Sequence, residues 1–302
     1  MNIAVIWHQP SDCSDAWSTP RGLAAALASE GAHVVFYPFS NPAAVMLPPL
    51  STLLADQIDA VLIFYAGASA SLDAELIKLR MLIDAQSSAL KIICELGDEP
   101  QTRCHNAVRA QVSDLCLSPD DPSALKWRSL GVPCVWYTHW ADTSIFHESQ
   151  ERPRQQLMVT TMGRRRYAKR LRLLLGRRFA NRRCQGLENG RFYSQGLIAF
   201  QYARWNEVTR RVFEAAACGC CVLTNRLPPA TRMEELFPAD VAAVYYDGFV
   251  SLVLALWTLM TRPALRQAIA TEGQRRVLLG HTQSVRAQQL LAYLASMPER
   301  SG

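Results

Sequence analysis

Short apolar runs recur along the first half of the chain, each followed by a stretch whose apolar residues fall at helical spacing, and no other feature restricts the fold as strongly. Ile3–Trp7 reads as a strand. Thr19-Pro20 reads as the N-cap and first position of a helix that carries Leu23 and Leu27 on one side and stops at Gly31. The strands continue with His33–Tyr37, Ala60–Tyr65, Leu90–Glu95, Ser113–Ser118 and Pro133–Tyr137. Strands separated by helices form βαβ units around a parallel sheet. The polar, proline-containing stretch Phe146–Gln156 reads as a linker, after which a second series begins. It comprises strand Leu157–Thr161, a basic helix Tyr167–Leu175, a helix Glu207–Cys218, strands Cys221–Asn225 and Ala242–Tyr246, and three helical stretches through Leu294. At ~100–200 residues per domain, 302 residues accommodate two α/β domains, expected at 1–150 and 157–302. Ligands of open parallel sheets bind beyond the carboxyl ends of strands, so a cleft faced by both domains is the expected site.

Composition and missing motifs narrow the chemistry. A chain that is 49% apolar and 19% charged is a folded protein rather than a disordered or fibrous one. The N-terminus lacks a basic segment, and its apolar run is too short for a signal peptide. The longest apolar stretch, Phe249 to Met260, falls short of the ~18–20 residues that span a bilayer, so no transmembrane segment and a cytoplasmic location are expected. The nine cysteines are odd in number and sit mostly in apolar runs such as Ile92-Ile93-Cys94, which reads as reduced core thiols. Cys218-Gly219-Cys220-Cys221 contains a Cys-x-x-Cys, yet no second pair stands at zinc-site spacing, so packing is expected and no metal site. The first strand leads into Trp7-His8-Gln9-Pro10-Ser11-Asp12 without Gly-x-Gly-x-x-Gly, which disfavours a dinucleotide cofactor at that turn. Neither a P-loop, nor Gly-x-Ser-x-Gly, nor an Asp-x-Asp triplet is present.

Charge is concentrated. Between Arg152 and Arg183 there are twelve Lys or Arg and no acidic residue, while the remaining chain carries 20 basic against 26 acidic side chains. Such a segment implies an anionic partner, whether a diphosphate, a nucleic acid or an acidic lipid surface; a solvated basic helix face is the plainer alternative. Within it, Met162-Gly163-Arg164-Arg165-Arg166-Tyr167-Ala168-Lys169-Arg170 places a glycine and then cations at a helix start. The helix dipole opposes cations there unless an anion compensates. Further on, Glu214 is a carboxylate among apolar neighbours in Val212-Phe213-Glu214-Ala215-Ala216, which suits either ligand contact or a core ion pair.

The run from Arg204 to Asn225 is a helix holding a carboxylate against small residues, closed by Gly219 and followed at once by an apolar strand. It resembles the donor-binding core of GT-B type glycosyltransferases, most of all the "glycosyl transferases group 1" families in their spore-maturation-protein (CgeB-like) branch. Met233-Glu234-Glu235-Leu236-Phe237, Tyr246-Asp247 and His281-Thr282 with Arg286 follow the same pattern. The resemblance covers roughly Leu157 to Leu294, and the first domain through its βα order and Glu95-Leu96-Gly97-Asp98-Glu99-Pro100. It implies an α/β protein of two Rossmann-like βαβ domains facing a cleft, and metal-independent, retaining sugar transfer from a nucleotide-sugar with no further cofactor. Glu214 then accepts the ribose hydroxyls, and Gly163, Arg164, Lys169 and Arg170 fall where such enzymes hold the diphosphate. Eight positions before Glu214, where related retaining enzymes carry a sugar-contacting Glu, this chain has Asn206, which can still hydrogen-bond a hydroxyl or else cap the helix.

The acceptor side falls to the first domain, where His8, Asp98, Glu99 and His139 lie at expected strand ends; a His there can serve as general base, and the loop of Asp98 also carries the resemblance. The acceptor itself, whether small molecule, glycan, protein or nucleic acid, is not specified. Two other readings stay open. One is a nucleic-acid-binding protein using Arg152–Arg183, although that segment interleaves only Tyr167 and Phe179 with its charges. The other is a sugar-nucleotide binder without turnover, suggested by Asn206.

Overall fold

A computed structural model of the chain describes residues 1–9, 19–97, 99–149, 154–161, 166–184 and 186–298. Two compact units emerge, one of Met1–Thr138 with Arg286–Gly302 and one of His139–Val285.

In the first unit the apolar runs form strands β1 (Asn2–His8), β2 (His33–Phe39), β3 (Ala60–Ile63), β4 (Lys91–Glu95), β5 (Leu115–Ser118) and β6 (Cys134–Trp136). Between them lie α1 (Thr19–Ser29), α2 (Leu50–Ala55), α3 (Ala70–Ala85), α4 (Glu99–Val112) and α5 (Asp121–Ser129). The sheet is parallel in the order β2-β1-β3-β4-β5-β6, with Ile3 opposite Ala60 and Val61 opposite Ile92. Helices cover both faces of such a sheet, which is why β3 is apolar throughout. Val61, Ile63, Ile92 and Cys94 pack with Leu72, Leu76, Leu79 and Ile83 of α3. Ser69 caps α3 by accepting from the Leu72 amide, and Asp120 caps α5 by accepting from Ser123. Beyond β3 the expected strand stops early, because Tyr65 adopts a left-handed backbone (φ 58°) and donates its N–H to Glu95 Oε2 at 2.8 Å.

The second unit holds β7 (Gln156–Thr160), β8 (Phe179–Asn181), β9 (Gly196–Phe200), β10 (Cys221–Asn225) and β11 (Val244–Tyr246), again parallel, in the order β11-β10-β9-β7-β8. Its helices are α6 (Arg166–Leu175), α7 (Gly186–Tyr193), α8 (Arg210–Ala217), α9 (Met233–Leu236), α10 (Phe249–Thr261) and α11 (Pro263–Gly280). A last helix, α12 (Gln283–Ser296), begins here and continues into the part of the chain that belongs to the first unit.

Met158, Ile198, Phe200, Cys221 and Leu223 are fully buried in this core, and a side chain such as Ile198 or Phe200 contributes roughly 1.5–3 kcal/mol on burial. β8, α7 and β9 have no counterpart among the expected elements: β8 is a three-residue strand inside the arginine run, and β9 is a five-residue apolar run between polar residues. The helix expected at Glu207–Cys218 begins at Arg210 instead, since Asn206 is left-handed (φ 55°) and Thr209 is extended.

The division between the units falls at Thr138 and His139, ahead of the polar stretch 146–156, and residues from Arg286 onward belong to the first unit. Within the polar stretch Phe146 is buried, and Arg154 donates to the carbonyls of Gly196 and Cys218 and pairs with Glu148 at 2.8 Å. In the first unit buried Arg286 donates from Nε to the Thr138 carbonyl at 2.8 Å, and the Tyr137 hydroxyl donates to the Arg286 carbonyl at 2.8 Å.

α7 approaches the chain before β7 so closely that a Cβ at Gly190 would stand 2.0 Å from the Ile145 carbonyl oxygen. Because the obstacle is backbone, Gly190→Ala is expected to cost about 1–3 kcal/mol or more in chemical denaturation, and an unchanged midpoint would contradict this packing.

Candidate functional site

Strand order marks a candidate site in the second unit. From β7 the chain crosses to β8 on one side, and from β9 it proceeds to β10 on the other, so the order reverses between β7 and β9. Right-handed crossovers then put successive helices on opposite faces and leave uncovered the carboxyl ends of β7 and β9, the position at which open parallel sheets hold ligands.

A buried polar cluster occupies that position. Tyr193, at the end of α7, is fully buried; its phenol accepts from Gln201 Nε2 at 3.0 Å and lies 3.0 Å from Thr161 Oγ1. Burial, reinforced by the nearby Glu214 carboxylate, pushes this phenol well above its ordinary value, so it stays protonated. Gln201, just beyond β9, is held by its backbone as well: its carbonyl accepts from the Tyr246 hydroxyl at 2.9 Å, and its N–H donates to the Leu223 carbonyl at 2.8 Å. Asn225 at the end of β10 accepts from the Ala203 N–H at 2.7 Å and fixes the following loop.

Glu214 lies on α8 with only 2% of its surface exposed, which requires a partner for its charge. Oε1 accepts from Arg210 Nε at 2.9 Å, one helical turn earlier, and Oε2 accepts a longer bond from Asn189 Nδ2 at 3.4 Å. A carboxylate has about four acceptor positions, so capacity remains on Oε2. Three buried atoms of the same neighbourhood, Gln201 Oε1, Arg211 Nε and Asn189 Oδ1, have no hydrogen-bond partner among the described residues. Unsatisfied polar groups are costly in a protein interior, and these three lie together near the strand-order reversal.

Glu214 is part of this cluster, and Asn206 stands exposed in the loop between β9 and α8 beside exposed Trp205. Lys169 and Arg170 lie on α6, Lys169 exposed and Arg170 with its guanidinium 4.8 Å from the Phe249 ring; no described bond joins either to Glu214. Gly163 and Arg164 lie outside the described residues, as does Asp98 in the first unit. His8 ends β1 with its ring stacked on Phe39, centroids 5.5 Å apart, His139 is partly buried in the second unit, and Glu99 opens α4. Tyr193, Gln201, Asn189 and Arg211 were not marked by the sequence; the one available signal was a glutamine directly after the apolar run Ile198-Ala199-Phe200.

Beside the cluster, the Cys218–Cys221 segment packs rather than ligates. Cys220 Sγ donates to the Tyr193 carbonyl at 3.1 Å and Cys218 Sγ to the Gly190 carbonyl at 3.7 Å. Among the described residues no group of three or more His, Cys, Asp or Glu could hold a metal ion.

Residues 146–292 match the family described as "Glycosyl transferase-like". No curated protein matches the chain. Among solved structures, HepE of Anabaena in complex with UDP and glucose is 12% identical, with a TM-score of 0.66 over 97% of this chain and 99% of that one. A sucrose-phosphate synthase from Thermosynechococcus elongatus is likewise 12% identical, with a TM-score of 0.65 over 97% and 98%. An alpha-glucosyltransferase in complex with UDP and a 13-mer DNA containing a HMU base is 11% identical, with a TM-score of 0.62 over 98% and 100%. The fold is therefore GT-B. The glycosyltransferase-like match covers 146–292 of the 302 residues, all of them within that fold.

The thiols make a direct test of the packing. Burial raises Cys220 to about 11 and Cys221 to about 12, so neither forms thiolate at pH 8, whereas Cys104 is exposed. Brief maleimide treatment of the native protein is expected to label Cys104 and spare Cys218, Cys220 and Cys221, as read by peptide mass mapping; prompt labelling of Cys220 would contradict the site's closure.

Proposed function

We propose that this chain is a metal-independent, retaining glycosyltransferase whose second unit binds a nucleotide-sugar donor at the β7/β9 strand-order reversal. The observation that carries the reading is the buried cluster of Tyr193, Gln201, Glu214 and Arg211, with its unsatisfied atoms, at the position where open parallel sheets bind nucleotides. Glu214 accepts the ribose hydroxyls through Oε2, and Asn206 hydrogen-bonds a hydroxyl of the sugar. Gly163, Arg164, Lys169 and Arg170 hold the diphosphate. Uridine is the base to try first, because the similar HepE and alpha-glucosyltransferase structures contain UDP.

Catalysis in this scheme is electrostatic. Arginine and the N-terminal dipole of α6 stabilise the leaving diphosphate as charge develops on it, while the sugar passes through an oxocarbenium-like state. On the acceptor side we assign Asp98 and His8 of the first unit to positioning or deprotonating the incoming hydroxyl. One similar alpha-glucosyltransferase was solved with DNA.

A thermal-shift series with UDP, GDP, ADP, CDP and dTDP, and a single-stranded oligonucleotide in parallel, tests the donor site. UDP at about a hundred times its dissociation constant is expected to stabilise by about 2.7 kcal/mol. Glu214→Gln should weaken UDP and uridine binding alike, by about tenfold or more, through loss of a charged acceptor. Arg170→Ala should weaken UDP binding while leaving uridine binding unchanged. Response to the oligonucleotide alone, or wild-type UDP affinity in Glu214→Gln, would contradict the assignment.

A further inference from the structure

Donor binding at the strand ends leaves most of the arginine run unused, and the helix lying beside α6 has an unusual surface. α10 has 13 residues and not one of them is ionisable. Leu252, Leu256 and Leu259 bury one side of it on the sheet, while Val250, Leu254 and Trp257 stand exposed on the other, Trp257 at 65%. This outward stripe, at i, i+4 and i+7, is about 10 Å long and carries apolar groups where a surface helix ordinarily carries charge.

α6 continues the surface. Its Ala168 and Leu171 join the same core as Leu252 and Leu256, so both helices cover one face of the sheet. Each follows a parallel strand and runs back from its carboxyl end. They lie side by side, since the Phe249 ring sits 5.7 Å from Tyr167 and 4.8 Å from the Arg170 guanidinium. Away from the sheet α6 exposes Leu173, at 87%, and Leu174, with exposed Arg172, Arg177 and Arg178 around them; no ion pair involves these three arginines among the described residues. Arg262, just past the end of α10, is exposed as well.

We propose that the outward sides of α6 and α10 dock on the surface of an anionic lipid bilayer. Val250, Leu254, Leu173 and Leu174 enter the boundary between headgroups and acyl chains, Trp257 takes the interfacial position its amphipathic ring prefers, and Arg172, Arg177, Arg178 and Arg262 meet lipid phosphates. The helix lies along the surface rather than across it: 13 residues extend about 20 Å, against the ~30 Å of a hydrocarbon core. Lipid fits better than nucleic acid because single-strand platforms set aromatic rings between their cations, whereas four of the five exposed apolar side chains here, Leu173, Leu174, Val250 and Leu254, are aliphatic and stack on no base, with Trp257 the fifth.

Co-sedimentation of the full chain with phosphatidylcholine vesicles, with and without phosphatidylglycerol, tests the proposal. Binding is expected to the anionic vesicles and to weaken with added salt. The double variant Leu254→Ser/Trp257→Ser should lose about tenfold or more of it while keeping the wild-type melting curve, because both side chains are exposed. Arg177→Gln/Arg178→Gln should weaken binding and flatten its salt dependence. Three results would overturn the proposal: no preference for anionic vesicles, undiminished binding by Leu254→Ser/Trp257→Ser, or no vesicle binding together with either oligonucleotide binding through Arg177 and Arg178 or self-association that Leu254→Ser/Trp257→Ser abolishes.

Discussion

The reversal of strand order between β7 and β9 is the constraint on which the second unit depends. A parallel sheet with right-handed connections can grow from its first strand in two directions, and where it does so the adjoining strand ends lose the helix that would otherwise cover them. Polar side chains arriving there from β7, β9, α7 and α8 converge from different stretches of sequence: Thr161, Gln201, Tyr193 and Glu214 span more than fifty positions yet form one cluster. The first unit repeats the device between β1 and β3, where His8 ends the first strand.

Within the cluster, burial turns weak local preferences into fixed geometry. Tyr193 must stay protonated and hydrogen-bonded, which holds Gln201 in one orientation. The Glu214 charge must be compensated, and helical phase decides by what: Arg210 stands one turn back and pairs with it, whereas Arg211, one residue on, has Nε buried without a partner among the described residues. Two adjacent arginines thereby differ: one neutralises the carboxylate, and the other keeps a buried Nε unpaired among the described residues.

Much of this architecture was legible in the sequence. Apolar runs bounded by turn residues located nine of the strands, and the small-residue stretch before Gly219 located the helix with Glu214, because a carboxylate among Val, Phe and Ala is conspicuous. The three-residue β8 was hidden by surrounding arginines, and β9 was too short to stand out from loop. With β9 went the strand order, and with that the recognition of Gln201 and Tyr193, since a polar residue after an apolar run is commonplace until its neighbours in space are known. Exposure was also out of reach: α10 reads simply as an apolar helix, and only its packing distinguishes Leu252, buried, from Leu254, exposed.

The central claim is that the β7/β9 crevice is a nucleotide site. Amide hydrogen exchange on the full chain with and without UDP, resolved to peptides, measures this without reliance on turnover or on any acceptor. A nucleotide bound there slows exchange in peptides covering 186–193 and 201–214. Unchanged exchange in both, with protection confined to peptides of the first unit or found nowhere, would contradict it.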